Sequence, residues 1–355
     1  MKEMNTIIAA LTGDKGKDDA VFSKAGEILR AGGLVAFPTE TVYGLGADAL
    51  NEQAAKKIYA AKGRPSDNPL IVHIADRADY AKLAREVPPA AKLLYDRFLP
   101  GPLTMILKKS DIVPDTITGG LDTVAIRMPS HPTAARLIRE SGVYIAAPSA
   151  NLSGKPSPTK AEHVIHDLNG RIDMILCDDT VDVGVESTII DLSEEVPVLL
   201  RPGYITLEQL RDCLGRVDVD PAIRGVSVPA GVVPKAPGMK YKHYAPDADL
   251  SIVEGEPEAV IAKINELTEE AMKKGEKVGI MATEETASRY SQGIVKVVGS
   301  HRDEATVAHN LFAVLRAFDE EKVDRIYSEG FSGHNVGQAV MNRLIKAAGH
   351  TIINA

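Results

Sequence analysis

Two arginines lie inside or at the end of short apolar runs, where a charged side chain is unusual. Arg127 interrupts the run VAIRM, and Arg201 ends the run VPVLLR. A buried guanidinium is costly unless an anion pairs with it. Arg127 is therefore expected to hold a carboxylate, which belongs either to a ligand or to one of the chain's own acids. His73 lies in a similar run, LIVHI, where a lone histidine is more often structural than catalytic.

A second group of residues could bind phosphate. Lys62 and Arg64 follow a predicted helix in the segment KGRP and could clamp an anion, Arg64 through its planar fork. Cations at a helix C-terminus are also favourable without a ligand, so this pattern is weak by itself. The loop PSANLSGKPSPT at 148–159 is dense in hydroxyls and could present them to phosphate, although a rigid capped connection would have the same composition.

Several familiar kinds of site cannot be found in the sequence. It contains no Walker A motif, and GLGADA at 44–49 matches the dinucleotide fingerprint poorly, because six residues separate it from the strand that ends at Phe37. We find no Ser–His–Asp or Cys–His nucleophile pattern. Hydroxyls, arginines and lysines at successive strand ends instead indicate chemistry by positioning and charge stabilisation, as in phosphoryl and nucleotidyl transfer.

The composition restricts the class of protein. The 355 residues are 44% hydrophobic and 25% charged, as in an ordinary globular protein, with a formal net charge of -8. That charge argues against a basic surface for nucleic acid, and the absence of tryptophan argues against extended base stacking. Cys177 and Cys213 are too few for a disulfide framework. No membrane-spanning stretch or signal peptide is recognisable, so a cytoplasmic location is expected.

The elements that position these residues fall into three segments. Residues 1–215 alternate short apolar runs with helical patterns, including helices over 89–98 and 161–168, in an irregular order that favours a twisted mixed sheet with helices. The glycine-bearing segment after Phe37 is expected to be a polar loop. Residues 216–247 are rich in proline and glycine and predict a linker. Residues 248–355 alternate strands and helices regularly, which predicts a smaller parallel α/β domain.

Seven segments, taken together and in order, resemble the Sua5/YrdC/YwlC family: FPTETVYGLG, KGRPSDNPLIVHI, PGPLT, VAIRMPSHP, PSANLSGKPSPT, VGVESTIIDL and LRPG. The later APGMKYKHYAP and QAVMNRLIKAA resemble the long, Sua5-type branch of that family. The resemblance implies a YrdC-like catalytic domain at 1–215, a linker at 216–247 and a Rossmann-like C-terminal domain at 248–355.

The same resemblance implies an activity. The expected enzyme is a nucleotidyltransferase that makes L-threonylcarbamoyladenylate and pyrophosphate from L-threonine, bicarbonate and ATP, for the t6A modification of adenosine 37 in tRNA. Mg²⁺ is expected mainly through ATP, and a downstream tRNA threonylcarbamoyltransferase is the expected partner. Direct binding of tRNA is expected to be weak, and no membrane is involved.

The site residues of the family transfer onto this chain one by one. The resemblance places threonine among Thr41, His73, Arg127, Ala147 and Ser187. It places ATP among Arg64, Asn68, Thr123, Ser149, Asn151, Ser157, Arg201 and Tyr241. Lys62 and Arg64 are the expected catalytic cations, and we assign no general base.

Two other functions stay open at this point. The first domain could be a double-stranded RNA-binding module without ATP chemistry, against which the net charge of -8 counts. It could also be a carbamoyl-transfer module like that of hydrogenase-maturation proteins. That interpretation expects acylphosphatase and zinc-finger segments, and the sequence has only two cysteines.

The second half of the linker has an unusual composition for a spacer. It concentrates lysines with His243, Tyr241 and Tyr244, which suits an anionic nucleotide. We therefore expect residues 236–246 to fold over the site as a lid that excludes water, with Tyr241 touching ATP.

Overall fold

The computed structural model of the chain describes residues 5–178, 180–224, 235 and 243–355. The chain divides into two compact units. The second unit comprises 154–156, 183–185 and 241–355, and the first comprises the rest. Residues 225–234 and 236–242 of the expected linker, Tyr241 among them, lie outside the described residues. The expected lid therefore stays a prediction.

The first unit is built on one mixed sheet. Its strands are β1 (Ile7–Ala10), β2 (Val35–Phe37), β3 (Gly44–Asp48), β4 (Ile71–His73), β5 (Leu103–Lys108), β6 (Thr123–Arg127), β7 (Ile145–Ala146), β8 (Met174–Cys177), β9 (Thr188–Asp191), β10 (Val198–Arg201) and β11 (Asp218–Val219). They lie in the order β1-β8-β2-β3-β7-β4-β6-β5-β9-β10-β11. Parallel pairs such as β4 with β6 occur beside antiparallel pairs such as β5 with β6. The expected mixed sheet is confirmed.

Helices pack on both faces of this sheet. They are α1 (Lys15–Arg30), α2 (Glu52–Lys62), α3 (Tyr80–Leu83), α4 (Pro89–Phe98), α5 (Asp115–Thr118), α6 (Pro132–Ser141), α7 (Ala161–Leu168) and α8 (Leu207–Leu214). Successive strand residues point to opposite faces, and β2 separates two apolar clusters in this way. Val35 and Phe37 pack with α1 and α6, whereas Ala36 belongs to the cluster of α2, α4 and α7.

The glycine-bearing segment after Phe37, expected to be a loop as far as Gly46, is not all loop, and that expectation is wrong for 44–46. Gly44–Asp48 forms β3, inside the sheet between β2 and β7. A Cβ on Gly46 would lie 2.7 Å from Ile145 Cγ2 and 2.9 Å from Phe37 Cε1. The glycine is needed for close packing between strands rather than for a turn.

The second unit holds a parallel sheet, as expected. Its strands are β12 (Asp249–Glu254), β13 (Val278–Thr283), β14 (Ile294–Gly299), β15 (Arg325–Glu329) and β16 (Ile352–Asn354), in the order β14-β13-β15-β12-β16. Its helices are α9 (Pro257–Lys273), α10 (Glu304–Glu321) and α11 (Asn335–Ala347). Among the helices of the described residues, none combines the length and the apolar character needed to cross a membrane.

A buried carboxylate lies at the carboxyl end of β15. Glu329 accepts hydrogen bonds from the hydroxyls of Thr283 at 3.1 Å and Tyr290 at 2.6 Å, and it lies 3.3 Å from His301 Nε2. Burial acts to raise the pKa of Glu329, but these donors more than offset it and the pKa falls below its usual value. The bond to Glu329 in turn raises the pKa of His301. A cavity of about 590 Å³ borders both residues.

The close packing of β3 gives a stability prediction. Gly46→Ala puts a methyl group against Ile145 and Phe37, so it should lower the free energy of unfolding by about 1–3 kcal/mol, the usual cost of overpacking a core. Gly16→Ala in α1 is the matched control, because its Cβ would approach no other atom closer than 3.6 Å and alanine favours a helix. Urea unfolding followed by circular dichroism measures both variants. Equal stabilities would contradict the packing argument.

Candidate active site

Three strands place polar side chains in one row. His73 ends β4 and Arg127 ends β6, and the two residues are paired in the parallel register. Thr104 of β5 pairs with Arg127 on the other side. Because paired residues of neighbouring strands point to the same face, His73, Arg127 and Thr104 line the same face of the sheet.

Two further candidates continue this row. The hydroxyls of Thr104 and Ser187 lie 2.7 Å apart. Arg201 donates from Nε to the Ser187 carbonyl at 3.0 Å and from Nη2 to the Ser187 hydroxyl at 3.2 Å. Thr104 thus joins Arg127 to the pair of Ser187 and Arg201. Thr104, which ends the segment PGPLT, was not singled out from the sequence.

Arg127 has a partner from the chain itself. Its Nη2 lies 2.9 Å from Oε1 of Glu40, and both side chains are buried. Burial acts to raise the pKa of Glu40, but the Arg127 guanidinium more than offsets this, so the pKa lies below the usual range. The sequence left open whether a ligand or an internal acid pairs with Arg127, and the structure provides an internal acid. Glu40 was overlooked even though it lies in the segment FPTETVYGLG.

His73 is uncharged at neutral pH. Burial and the neighbouring Arg127 charge lower the pKa of His73 to about 3. Its Nδ1 lies 3.1 Å from the Ile71 carbonyl oxygen, which can only accept. Nδ1 therefore carries the proton of the neutral ring. His73 adds a polar contact beside Arg127 without adding positive charge.

The loop that carries Glu40 is held by a threonine. Thr39 Oγ1 donates to the Val42 carbonyl at 2.7 Å and accepts from the Val42 N–H at 3.3 Å. It also lies 2.9 Å from the hydroxyl of Thr41, which is buried. A loop closed on itself in this way presents Glu40 and Thr41 in one orientation.

Lys62 is brought together with two of the ATP candidates. It is the last residue of α2, which ends because Gly63 takes a left-handed conformation. The ammonium donates to the carbonyls of Ser149 and Asn151, each at 2.5 Å, and to Asn151 Oδ1 at 3.3 Å. Ser149 Oγ also donates to Asn151 Oδ1, at 2.5 Å. A phosphate reaching Lys62 would replace one of these acceptors.

Other ATP candidates also meet chain partners. Arg64 donates from Nη2 to the Pro69 carbonyl at 3.2 Å, and Asn68 is buried in the same turn. Ser157 is buried as well and donates to Glu186 Oε1 at 2.5 Å. Glu186, which precedes Ser187, was not singled out from the sequence.

Of the remaining candidates, Ala147 flanks the row, because β7 pairs antiparallel with β4 and places Ile145 opposite His73, whereas Thr123 lies at the far end of its strand. Thr123 begins β6 and Arg127 ends it, so about 13 Å separates them at roughly 3.3 Å per residue. Ala147 is buried, and its N–H donates to the Ile71 carbonyl at 2.9 Å. Tyr241 lies outside the described residues. The described residues contain no group of three or more His, Cys, Asp or Glu arranged to hold a metal, so Mg²⁺ stays a prediction in which ATP supplies the ligands.

Comparisons with known proteins cover nearly the whole chain. Residues 27–203 match the Sua5/YciO/YrdC family model, described as "Telomere recombination", and residues 205–349 match "Threonylcarbamoyl-AMP synthase, C-terminal domain". The threonylcarbamoyl-AMP synthase of Bacillus subtilis (strain 168) is 53% identical over 97% of this chain and 97% of its own. That of Pyrococcus abyssi (strain GE5 / Orsay) is 51% identical over 93% and 94%.

A solved structure agrees with these relatives. The crystal structure of P. abyssi Sua5 complexed with L-threonine is 48% identical, has a TM-score of 0.91 and is matched over 99% of both chains. Similarity of this degree along both chains leaves one assignment: the chain belongs to the Sua5/YrdC/YwlC family, in the long form with the Sua5-type C-terminal domain.

Proposed function

We propose that this protein is an L-threonylcarbamoyladenylate synthase, a nucleotidyltransferase that makes threonylcarbamoyl-AMP and pyrophosphate from L-threonine, bicarbonate and ATP. The observation that carries the proposal is the 53% identity to a threonylcarbamoyl-AMP synthase over 97% of both chains. The reaction is proposed to occur in the cytoplasm. Its product would pass to a downstream tRNA threonylcarbamoyltransferase for the t6A modification of adenosine 37.

The row at the ends of β4 and β6 is the proposed threonine site. Arg127 would receive the carboxylate, because a guanidinium binds a carboxylate through two parallel hydrogen bonds. His73, neutral and adjacent, leaves that guanidinium as the positive centre of the row. Thr41 and Ser187 would contact the rest of the amino acid, and Ala147 would leave room for it. The P. abyssi relative, whose structure holds L-threonine, supports this assignment.

ATP is proposed to bind the strand-end and loop residues that follow from the family. The group of Lys62, Ser149 and Asn151 supports this, since one ammonium and several polar groups already converge there. The other proposed contacts are Arg64, Asn68, Thr123, Ser157, Arg201 and Tyr241. Mg²⁺, when held by the oxygens of ATP, would neutralise phosphate charge.

The proposed reaction has two steps. The amine of threonine is first carboxylated to N-carboxy-threonine. Its new carboxylate oxygen then attacks the α-phosphorus of ATP, the bond to the β-phosphate breaks, and pyrophosphate leaves with the electron pair. Arg127 fixes the substrate carboxylate throughout. Lys62 and Arg64 stabilise the negative charge that grows on the phosphates, which is catalysis by positioning and electrostatics.

One prediction of the proposed function concerns activity. Purified protein with ATP, Mg²⁺, bicarbonate and L-threonine should release pyrophosphate, and mass spectrometry with ¹³C-labelled bicarbonate should show the label in a threonine adduct of AMP. Reactions without threonine, or with D-threonine, are the controls. Pyrophosphate release that ignores threonine or bicarbonate would overturn the proposed function. Salt-dependent binding of double-stranded RNA without ATP turnover would favour the RNA-binding alternative.

Another prediction of the proposed function concerns Arg127. Arg127→Lys keeps a positive charge beside Glu40 but loses the two-pronged contact, so threonine binding should weaken by roughly 10- to 150-fold. ATP binding should hardly change. Isothermal titration calorimetry measures both affinities, and thermal unfolding confirms that the variant is folded.

The matched control for that experiment is Arg85→Lys. Arg85 is exposed and pairs with Asp122 at 3.1 Å, away from the row, so its exchange should leave both affinities unchanged. A folded Arg127→Lys variant with normal threonine affinity would show that Arg127 does not bind the threonine carboxylate.

A further inference from the structure

The buried pair of Arg127 and Glu40 is incompletely satisfied. Arg127 is 4% exposed and Glu40 is 5% exposed. Their contact of 2.9 Å is an ion pair, and within the part of the chain that the structure describes, the two Glu40 oxygens and Arg127 Nε and Nη2 have no hydrogen bond of good geometry. The backbone N–H groups of Glu40 and Ser130 lie near enough to help lower the pKa of the Glu40 carboxyl. Buried charged groups normally satisfy all their donors and acceptors. This pair therefore has open hydrogen-bonding capacity on its anionic side as well as on its cationic side.

An amino acid carries the complementary pair of charges. Its carboxylate suits the open guanidinium atoms of Arg127, and its ammonium suits the open oxygens of Glu40. We propose that Glu40 binds the α-ammonium group of L-threonine and takes a proton from it, so that Glu40 is the general base for carboxylation of the amine. This inference rests on the proposed function and adds a catalytic residue to it.

The other groups that face this pair are poor bases. His73, on β4, is neutral with a pKa of about 3, so it holds a proton too weakly to remove one from an ammonium. His131, which follows β6, accepts the Thr133 N–H at Nδ1, so its Nε2 carries the proton and donates to the Thr180 hydroxyl at 2.7 Å. Neither histidine has the basicity or the open lone pair that this role needs.

Binding of threonine itself would make Glu40 basic. In the structure the Arg127 charge keeps the pKa of Glu40 low, against the effect of burial. Once the substrate carboxylate also binds Arg127, the guanidinium stabilises the Glu40 carboxylate less. The cost of burying the Glu40 charge then becomes the larger effect. The buried ammonium–carboxylate pair then favours proton transfer, because a low-dielectric site disfavours both charged forms relative to the neutral pair. Proton transfer from the ammonium leaves a neutral amine and a neutral carboxylic acid.

The step balances without any further reactant. The ammonium gives one proton to the Glu40 carboxylate, and the freed lone pair of nitrogen attacks the carbon of bicarbonate. A carbon–nitrogen bond forms, and a carbon–oxygen bond breaks. Hydroxide leaves with the electron pair and takes the second nitrogen proton, so one water is released and the carbamate stays bound for its attack on ATP. Glu40 then returns its proton to solvent.

The test is the pH dependence of Glu40→Gln. The amide keeps the size of the side chain but cannot take the proton, so turnover at pH 7 should fall by about 10²- to 10⁴-fold, as for loss of a general base. The variant's turnover should rise about tenfold per pH unit up to pH 9, because only the free amine reacts. The wild-type profile should be flatter. Threonine-dependent pyrophosphate release measures both.

Two other variants complete the experiment. Glu329→Gln removes an equally buried carboxylate from the second unit and should keep the wild-type profile. Glu40→Asp retains a base and should lower turnover without adopting the steep profile. A Glu40→Gln variant whose profile has the wild-type shape would reduce Glu40 to a counter-ion of Arg127. Wild-type protein with no threonine-dependent turnover would instead overturn the proposed function, and this inference with it.

A measurement on the wild-type protein avoids any question of folding. The analogue 2,3-dihydroxybutyrate of matching configuration keeps the carboxylate of threonine but replaces the ammonium with a hydroxyl. If Glu40 holds the ammonium, the analogue should bind roughly 10- to 150-fold more weakly than threonine, the cost of a charge-assisted hydrogen bond. Equal affinities in competition calorimetry would show that Glu40 does not contact the ammonium.

Discussion

A guanidinium buried at the end of a sheet strand constrains the rest of the first unit. Removing Arg127 from water is costly, and the cost is offset only by an anion held at close range. Glu40 provides that anion from the loop between β2 and β3. The loop keeps its shape through Thr39, and the strand that follows it packs closely because Gly46 has no side chain. One buried charge thus requires a particular loop and a particular strand.

The mixed topology determines which side chains can meet this charge. β4 runs parallel to β6, whereas β5 runs antiparallel to it, so residues from distant parts of the chain come to lie beside Arg127. His73 and Thr104 occupy the two flanking positions, and Ser187 follows through the Thr104 hydroxyl. A regular strand–helix repeat would bring only carboxyl ends of parallel strands to one edge.

Two of the buried carboxylates, Glu329 and Glu40, show the difference between a structural and a functional polar cluster. Glu329 lies among two threonine hydroxyls, a tyrosine hydroxyl and a histidine, and these groups satisfy the hydrogen-bonding capacity of its carboxylate oxygens within the second unit. Glu40 is equally buried and pairs with Arg127, but neither of its oxygens has a hydrogen bond of good geometry among the described residues. A buried network whose hydrogen bonds are all satisfied stabilises one arrangement of side chains, whereas a network with unsatisfied groups favours a ligand that satisfies them.

The sequence by itself determined the fold class, the family and the kind of partner that Arg127 needs. Helix periodicity is local, which is why α4 and α7 have the predicted bounds. The family motifs are likewise short strings. Only the tertiary structure decided that 44–48 is a strand, because the need for Gly46 comes from Ile145, far along the chain. Only the tertiary structure decided that Glu40 pairs with Arg127, because strand register and loop closure determine which of the chain's many acidic residues lies beside it.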